Sequence, residues 1–250
     1  MAVIIPTYNQ MRYALIAARS AIRNTPKCLV MIVDDGSPEW DPLTFQTLPK
    51  DRLILHRFPK NDKNLTRSWN WGLQKARELG IPYAVPTNSD VKFPQGWWPP
   101  LQRALDAGTA SLVGPVTNAP GHRPRQQVST LYRNYLVGDG DAYLDTVQKY
   151  LDGRYGRETW PSKLNGFCLA AKTETWWRGA HSDSNVFDPK FKMVKNEDEL
   201  EGRWDRLGLK QAIVPASFVF HYRGVSRGAL GNGRHRLGAT KPAPKKKKRR

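Results

Sequence analysis

Hydrophobic and polar positions alternate between two periods along the first half of the chain. Ala2–Ile5 is a short apolar run, and Met11, Leu15, Ala18 and Ile22 then recur at helical spacing. Leu29–Val33 is a continuous apolar run rich in β-branched residues, the pattern of a strand buried on both faces. Leu53–Phe58 reads as a weaker strand. Leu65, Trp69, Leu73 and Ala76 form a second helical stripe, stopped by Gly80 and Pro82. Tyr83–Pro86 and Leu112–Gly114 read as further strands. Between them, Pro99 and Pro100 open a helix that carries Leu101 and Leu105 and closes at Gly108. This order predicts an α/β fold with a mostly parallel central sheet and helices on both faces.

The pattern loosens in the second half. Residues 118–162, rich in Pro, Gly, Arg and Tyr, read as an irregular insertion. Phe167–Ala171 reads as a strand. Asn196 with Glu199 three residues on predicts a capping box. The helix it opens presents Leu200, Trp204 and Leu207 on one face and ends at Gly208. Ile213–Phe220 supplies one or two strands. From about Gly228 the chain is Gly-, Arg- and Lys-rich and reads as disordered.

Composition sharpens this picture in three places. The 250 residues suit one large domain, and no apolar run reaches the roughly 18 residues that would predict a membrane helix. The start lacks the basic segment of a signal peptide and reads as a first strand. Cys28 and Cys168 sit in apolar runs and read as two buried thiols of a cytoplasmic protein. The net charge is +18, and the stretch from His221 to Arg250 carries 11 basic residues and no acid. A basic end on a mildly basic body predicts a polyanionic partner, against the plainer reading of a solubilising tail.

Ligands of open parallel sheets bind beyond the carboxyl ends of the strands. Three polar clusters fall there: Pro6-Thr7-Tyr8-Asn9, Asp34-Asp35-Gly36-Ser37 and Thr87-Asn88-Ser89-Asp90. Asp34 or Asp35 suits a base or ribose, and Asp90 suits a hard divalent cation, Mn²⁺ or Mg²⁺, held against a diphosphate. Alone, an Asp-Gly after a strand is turn chemistry. Three clusters on one sheet edge favour a site.

These pieces resemble family 2 glycosyltransferases. The resemblance begins with Val3–Asn9 and Ile32–Ser37. It runs on through Asn70-x-Gly72-x-x-x-Ala76, Asn88-Ser89-Asp90-Val91 and Pro94-x-Gly96-Trp97. It continues through Asn165-Gly166, Phe187-Asp188, Glu197-Asp198-x-Leu200-x-x-Arg203 and His221 with Ser226, spanning residues 2–226. It implies the GT-A fold, with a Rossmann-like nucleotide-binding half over 1–117, an acceptor-binding half over 118–227 and a basic tail over 228–250. It also implies a nucleotide-diphosphate sugar as donor, UDP-sugar first among them. Pro6, Thr7, Tyr8, Asp34, Asp35, Asn88 and Ser89 would then line the nucleotide pocket. Asp90 would hold the metal, helped by His221. Asp198 would be the base that activates the acceptor hydroxyl, with Glu197 as its alternate, and the sugar would invert. Asn88 stands where the family's metal motif carries a first Asp, removing one charge. Without the resemblance, the acids at 197–199 read as first-turn residues stabilising a helix dipole, a lone His after a strand reads as packed, and Arg203 as partner of a carboxylate. Trp97-Trp98 and Trp176-Trp177 read as core before sugar-stacking platforms.

The resemblance leaves the acceptor open. Lys245, Lys246, Lys247 and Lys248 with Arg249 and Arg250 fit a DNA-tracking arm, a nuclear import signal or a membrane-surface anchor. The leading expectation is a hydroxymethylated pyrimidine in DNA, as for viral enzymes that modify genomes. Arg123, Arg125, Arg133, Arg154 and Arg157 of the insertion would then line the groove. The alternatives are a protein, glycan or lipid-linked acceptor, or a non-catalytic nucleic-acid-binding module on the same scaffold.

Overall fold

The computed structural model describes residues 1–135 and 138–223. The sequence-predicted tail, Lys245–Lys248 included, lies outside the described residues. Four parallel strands form the heart of the molecule: β1 (Ala2–Thr7), β2 (Leu29–Asp34), β3 (Leu53–Arg57) and β4 (Tyr83–Pro86). They lie in the order β3-β2-β1-β4, with Ala2–Thr7 paired in register to Leu29–Asp34. Period-two alternation sorts β1 onto two cores. Val3 and Ile5 pack with one face's helices, α1 (Met11–Asn24) and later α3 (Trp98–Asp106); Ala2 and Ile4 pack with α2 (Leu65–Glu78) on the other. Gly72 lets α2 approach, since a β-carbon there would meet the Ile4 side chain at 2.4 Å. Asn70, two residues earlier, is buried and holds the Phe187 backbone by both its amide atoms, at 2.9 and 2.8 Å.

Short β5 (Val91–Lys92) follows the third polar cluster, and β6 (Leu112–Val116) departs from expectation. It leaves the main sheet and pairs in parallel with β9 (Gln211–Phe218), which is flanked by β7 (Trp160–Pro161). The 167–171 segment sews the two sheets together. Leu169 N–H bonds to Pro86 O at 3.0 Å, while Ala170 exchanges hydrogen bonds with Val113. Alternate residues thus serve different neighbours, so the predicted strand yields a regular ladder only at β8 (Ala171–Lys172), antiparallel to β4. A last strand, β10 (Phe220–His221), pairs antiparallel with β5 and returns His221 to Val91.

Three further expectations need correction. The 118–162 segment contains α4 (Asp141–Tyr155), which buries Leu144, Val147 and Leu151 against β9. Helix α6 (Asn196–Arg206) follows the short α5 (Thr173–Arg178), and it has no capping box. The chain enters α6 through Lys195 in the left-handed conformation; Asn196 donates to Thr66 Oγ1 and Glu199 pairs with Arg203 at 2.9 Å. Leu200 and Trp204 are buried, but Leu207 is exposed at the helix end. Cys28 and Cys168 are free and buried, and burial pushes the Cys28 thiol up to about 11.

Candidate active site

The ends of β1, β2 and β4, the β10 strand and the first turn of α6 open onto one cavity of about 690 Å³. Pro6, Thr7, Tyr8, Asp35, Asn88, Ser89, Asp90, Glu197, Asp198 and His221 all line it. Ten residues singled out in the sequence therefore meet, although they come from both ends of the described chain.

The two β2 aspartates divide. Asp34 is fully buried and closes its own turn, accepting Ser37 N–H at 2.8 Å, Gly36 N–H at 3.1 Å and the Ser37 hydroxyl. It does not line the cavity. Its oxygens already serve the turn. Asp35 does reach the cavity, and its carboxylate is also organised. It accepts Asn61 Nδ2 at 2.9 Å, Asn64 N–H at 3.0 Å and Arg67 Nε at 2.6 Å. Arg67 in turn lies over the Phe58 ring, 4.1 Å from its centre. The hydroxyls of Thr7 and Ser68 border the same space, buried and without a hydrogen-bond partner among the described residues. Buried hydroxyls are seldom left unsatisfied, so they mark where a polar ligand fits.

Across the floor, Asp90 is buried and faces His221, with Oδ1 3.2 Å from Nε2. Asp90 Oδ1 accepts no hydrogen bond among the described residues. The imidazole is fixed from three sides. Its Nδ1 lies 3.1 Å from Ala119 O, its backbone is locked to the Asn118 amide at 2.8 and 3.0 Å, and its ring stacks on Phe167. A carbonyl only accepts, so Nδ1 donates to it and Nε2 is turned to Asp90 and the cavity. A buried carboxylate oxygen and an imidazole nitrogen side by side form an oxygen–nitrogen donor set that suits a divalent cation. The Ala119 carbonyl orients that imidazole as an outer partner does in known metal sites. Asn88 Nδ2 lies 3.4 Å from the same Nε2, so this amide borders the pair.

The opposite wall is built by α6. Glu197 packs against Gly166, where a β-carbon would come within 3.3 Å of its carboxyl carbon and 3.2 Å of Trp69. Burial raises the Glu197 pKa, and the neighbouring Asp198 charge adds to the rise. Asp198 is more open and is gripped by Arg123, with His122 3.9 Å away. Arg123 also lies 3.5 Å from Glu201 Oε2. Glu201 is fully buried; Oε1 accepts Leu164 N–H at 2.5 Å, and burial pushes its pKa up to about 8.

Arg123, Glu201, Trp69 and Gly166 were not singled out as parts of the site from sequence. Arg123 was expected in a groove; it instead reaches under α6, and no periodicity in its Pro-rich turn signals that. Glu201 was detectable only as a charge one turn on from Glu197. Arg154 lies outside this cavity in a second groove, and Arg157 is exposed and borders neither. Trp97, Trp98 and Trp176 are core residues, as their periodicity predicts. Arg203 serves Glu199 and the carbonyl of Val186.

Among the proteins of known structure to which the chain is similar are the following two. One is S. aureus TarS 1–349, at 15% identity and TM-score 0.57 over 88% of this chain and 59% of that one. The other is GalNAc-T7 with UDP, GalNAc and Mn²⁺, at 18% identity and TM-score 0.63 over 88% of this chain and 43% of that one. TarS has also been solved in complex with UDP, at 14% identity. The chain thus spans 59% and 43% of the length of these neighbours, and the likeness establishes the GT-A fold. No curated protein sequence matches the chain. The model of the family described as glycosyl transferase family 2 matches residues 2–161, well over half of the chain. The chain therefore belongs to glycosyl transferase family 2.

Proposed function

We propose that the protein is a metal-dependent, inverting glycosyltransferase that uses a nucleotide-diphosphate sugar, UDP-sugar first among candidates. The observation that carries this reading is the shared cavity: the Asp90–His221 pair on its floor and Asp198 on its wall face the same space. UDP in solved structures of both similar proteins, and Mn²⁺ in that of GalNAc-T7, support the choice of donor and metal.

The chemistry follows from the residues. Pro6, Thr7, Tyr8 and Asp35 bind the nucleoside, with the Thr7 and Ser68 hydroxyls free to meet it. Asp90 and His221 would hold Mn²⁺ or Mg²⁺, with the Asn88 amide beside them. When bound, the cation supplies Lewis-acid stabilisation of the charge that builds on the leaving diphosphate. The acceptor oxygen attacks the anomeric carbon as the bond to the diphosphate oxygen breaks. The acceptor's proton passes to Asp198, and a single displacement inverts the anomeric centre. Arg123 holds the Asp198 carboxylate in place at the cavity wall. Glu197, more deeply set, is the alternate base.

For the acceptor, a hydroxymethylated pyrimidine in DNA remains the leading reading, supported by the +18 net charge and the basic end. The test is release of nucleoside diphosphate from a panel of sugar nucleotides with Mn²⁺, with and without hydroxymethylated DNA. Release stimulated by that DNA, with glycosylated nucleosides found by mass analysis, is the expected result. Release indifferent to DNA would move the acceptor to proteins, glycans or lipids. Absence of release with every donor would overturn the enzyme reading.

A further inference from the structure

A second groove, of about 340 Å³, lies between residues 130–134 and the C-terminal turns of α4. Arg133 and Asn134 stand on one wall, Tyr150, Arg154 and Tyr155 on the other. The rings of Tyr132 and Tyr150 are 4.9 Å apart, and Tyr150 is 45% exposed. The Arg154 guanidinium lies 6.0 Å from the Tyr155 ring centre. No carboxylate lines the groove among the described residues.

Nearby acids do not compensate these arginines, because other elements engage them. Asp139 accepts the Tyr222 hydroxyl at 2.9 Å, and Asp141 pairs with Arg23 and Lys92 at 2.7 Å each. Asp145 accepts Gln95 N–H at 2.7 Å, Asp152 pairs with Arg103, and Glu158 accepts Trp160 Nε1 at 3.2 Å. Arg133 and Arg154 have no acidic partner among the described residues.

The chemistry of the groove limits what fits. A neutral glycan would cover the tyrosines and leave two guanidinium groups unpaired. A polyphosphate would meet the arginines and leave the rings wet. A nucleotide satisfies both, because bases of any sequence stack on aromatic side chains while arginine takes the phosphate. We propose that the Tyr132–Arg133–Tyr150–Arg154 groove binds a nucleotide unit of a single nucleic-acid strand. This deepens the acceptor reading above and rests on it only for preferring nucleic acid over other polyanions.

The test is fluorescence anisotropy of the full chain with a labelled oligothymidylate of about 16 nucleotides, across a range of salt. Polyphosphate serves as the ringless comparison, and UDP binding with Mn²⁺ is followed in parallel. Arg133→Ala with Arg154→Ala is expected to lower the salt slope by about 1.4, roughly 0.7 for each phosphate left without its guanidinium. Tyr150→Ala is expected to weaken oligonucleotide binding about fivefold or more while leaving polyphosphate binding alone. Tyr150→Phe, which keeps the ring, restores the affinity. Wild-type affinity and slope in the alanine variants would overturn the proposal, as would equal loss of polyphosphate binding in Tyr150→Ala. So would absence of oligonucleotide binding by the unaltered chain. If UDP fails to bind while the groove behaves as expected, the donor reading falls and the groove stands.

Discussion

On the β2 side of the cleft, Asp34 and Asp35 each accept three or more donors from their own loops and from α2. On the α6 side, Asp198 and Glu201 share the single guanidinium of Arg123, Glu197 stands beside them, and burial raises the pKa of both glutamates. The first arrangement fixes shape: each carboxylate is tied by hydrogen bonds into the loop around it, as a nucleotide pocket needs. The second concentrates carboxylates with few donors, as proton transfer needs, because a base must be able to take up a proton near working pH. One cleft thus holds two carboxylate clusters in unlike surroundings, which suit the opposite tasks proposed for them.

The largest test of this contrast is Asp198→Asn. If the α6 side carries the proton transfer, kcat should fall by about 10²–10⁴, the usual contribution of a general base. UDP affinity, measured by calorimetry with Mn²⁺, should stay unchanged. A matched loss of affinity would instead make Asp198 part of the donor pocket. Glu197→Gln should reduce kcat less than Asp198→Asn; the reverse order would make Glu197 the base.

Glu201 gives the next effect, read in stability rather than rate. Its folded pKa of about 8 lies above its ordinary value of 4.5. Below that ordinary value both folded and unfolded chains hold the proton. As pH rises toward 8 the unfolded chain releases it first, so stability falls. The loss should be on the order of a few kcal/mol between about pH 5 and pH 8. Glu201→Gln cannot titrate, so urea denaturation of that variant should show a flatter pH dependence. Equal slopes in the two proteins would mean that Arg123 holds Glu201 ionised after all.

What the sequence made legible follows the same division. The donor side is built by consecutive strands of a parallel sheet, and each strand's apolar run points to the polar residues just past its end. Asn70 and Gly72 were readable too, and the structure gives both a packing reason in the contact of α2 with β1 and Phe187. The α6 side depends on contacts between residues distant in sequence, such as Arg123 with Asp198. No local period encodes these. Helix α4 is hidden from its pattern because its buried face mixes Leu144, Val147 and Leu151 with the buried amide of Gln148, while Tyr150 is exposed. Its polar core residue has a purpose, since Gln148 bonds to Ala216 O and Phe218 N–H across β9. Choosing between Asp34 and Asp35 was equally beyond pattern, because adjacent strand-end residues differ only in which way the turn sends them.

That choice can be tested directly. Asp34→Ala and Asp35→Ala should each cost about 1–3 kcal/mol in urea denaturation, since each leaves buried donors without an acceptor. Only Asp35→Ala should also weaken UDP binding, because Asp34 does not border the cavity. Equal loss of UDP affinity in both would show that the Asp34 turn shapes the pocket as much as Asp35 lines it.

The smallest effect concerns Lys195, which leads into α6 with φ at 64°. A side chain in this left-handed conformation costs roughly 1 kcal/mol that glycine avoids. Glycine also frees the unfolded chain, which takes back part of that gain. Lys195→Gly should therefore stabilise the protein by only about 0.5 kcal/mol, read as a slightly higher Tm. The backbone bond from Glu199 N–H to Lys195 O, 3.0 Å, does not need the side chain and should survive. If the strain merely sets the entry angle of α6, Glu197 and Asp198 keep their places and kcat is unchanged. A drop in kcat with higher stability would show that the side chain of Lys195, a residue that lines the same cavity, contributes to the acid-rich wall. The carboxylates of α6 would then depend on a second cation as well as Arg123, narrowing the contrast with the donor side.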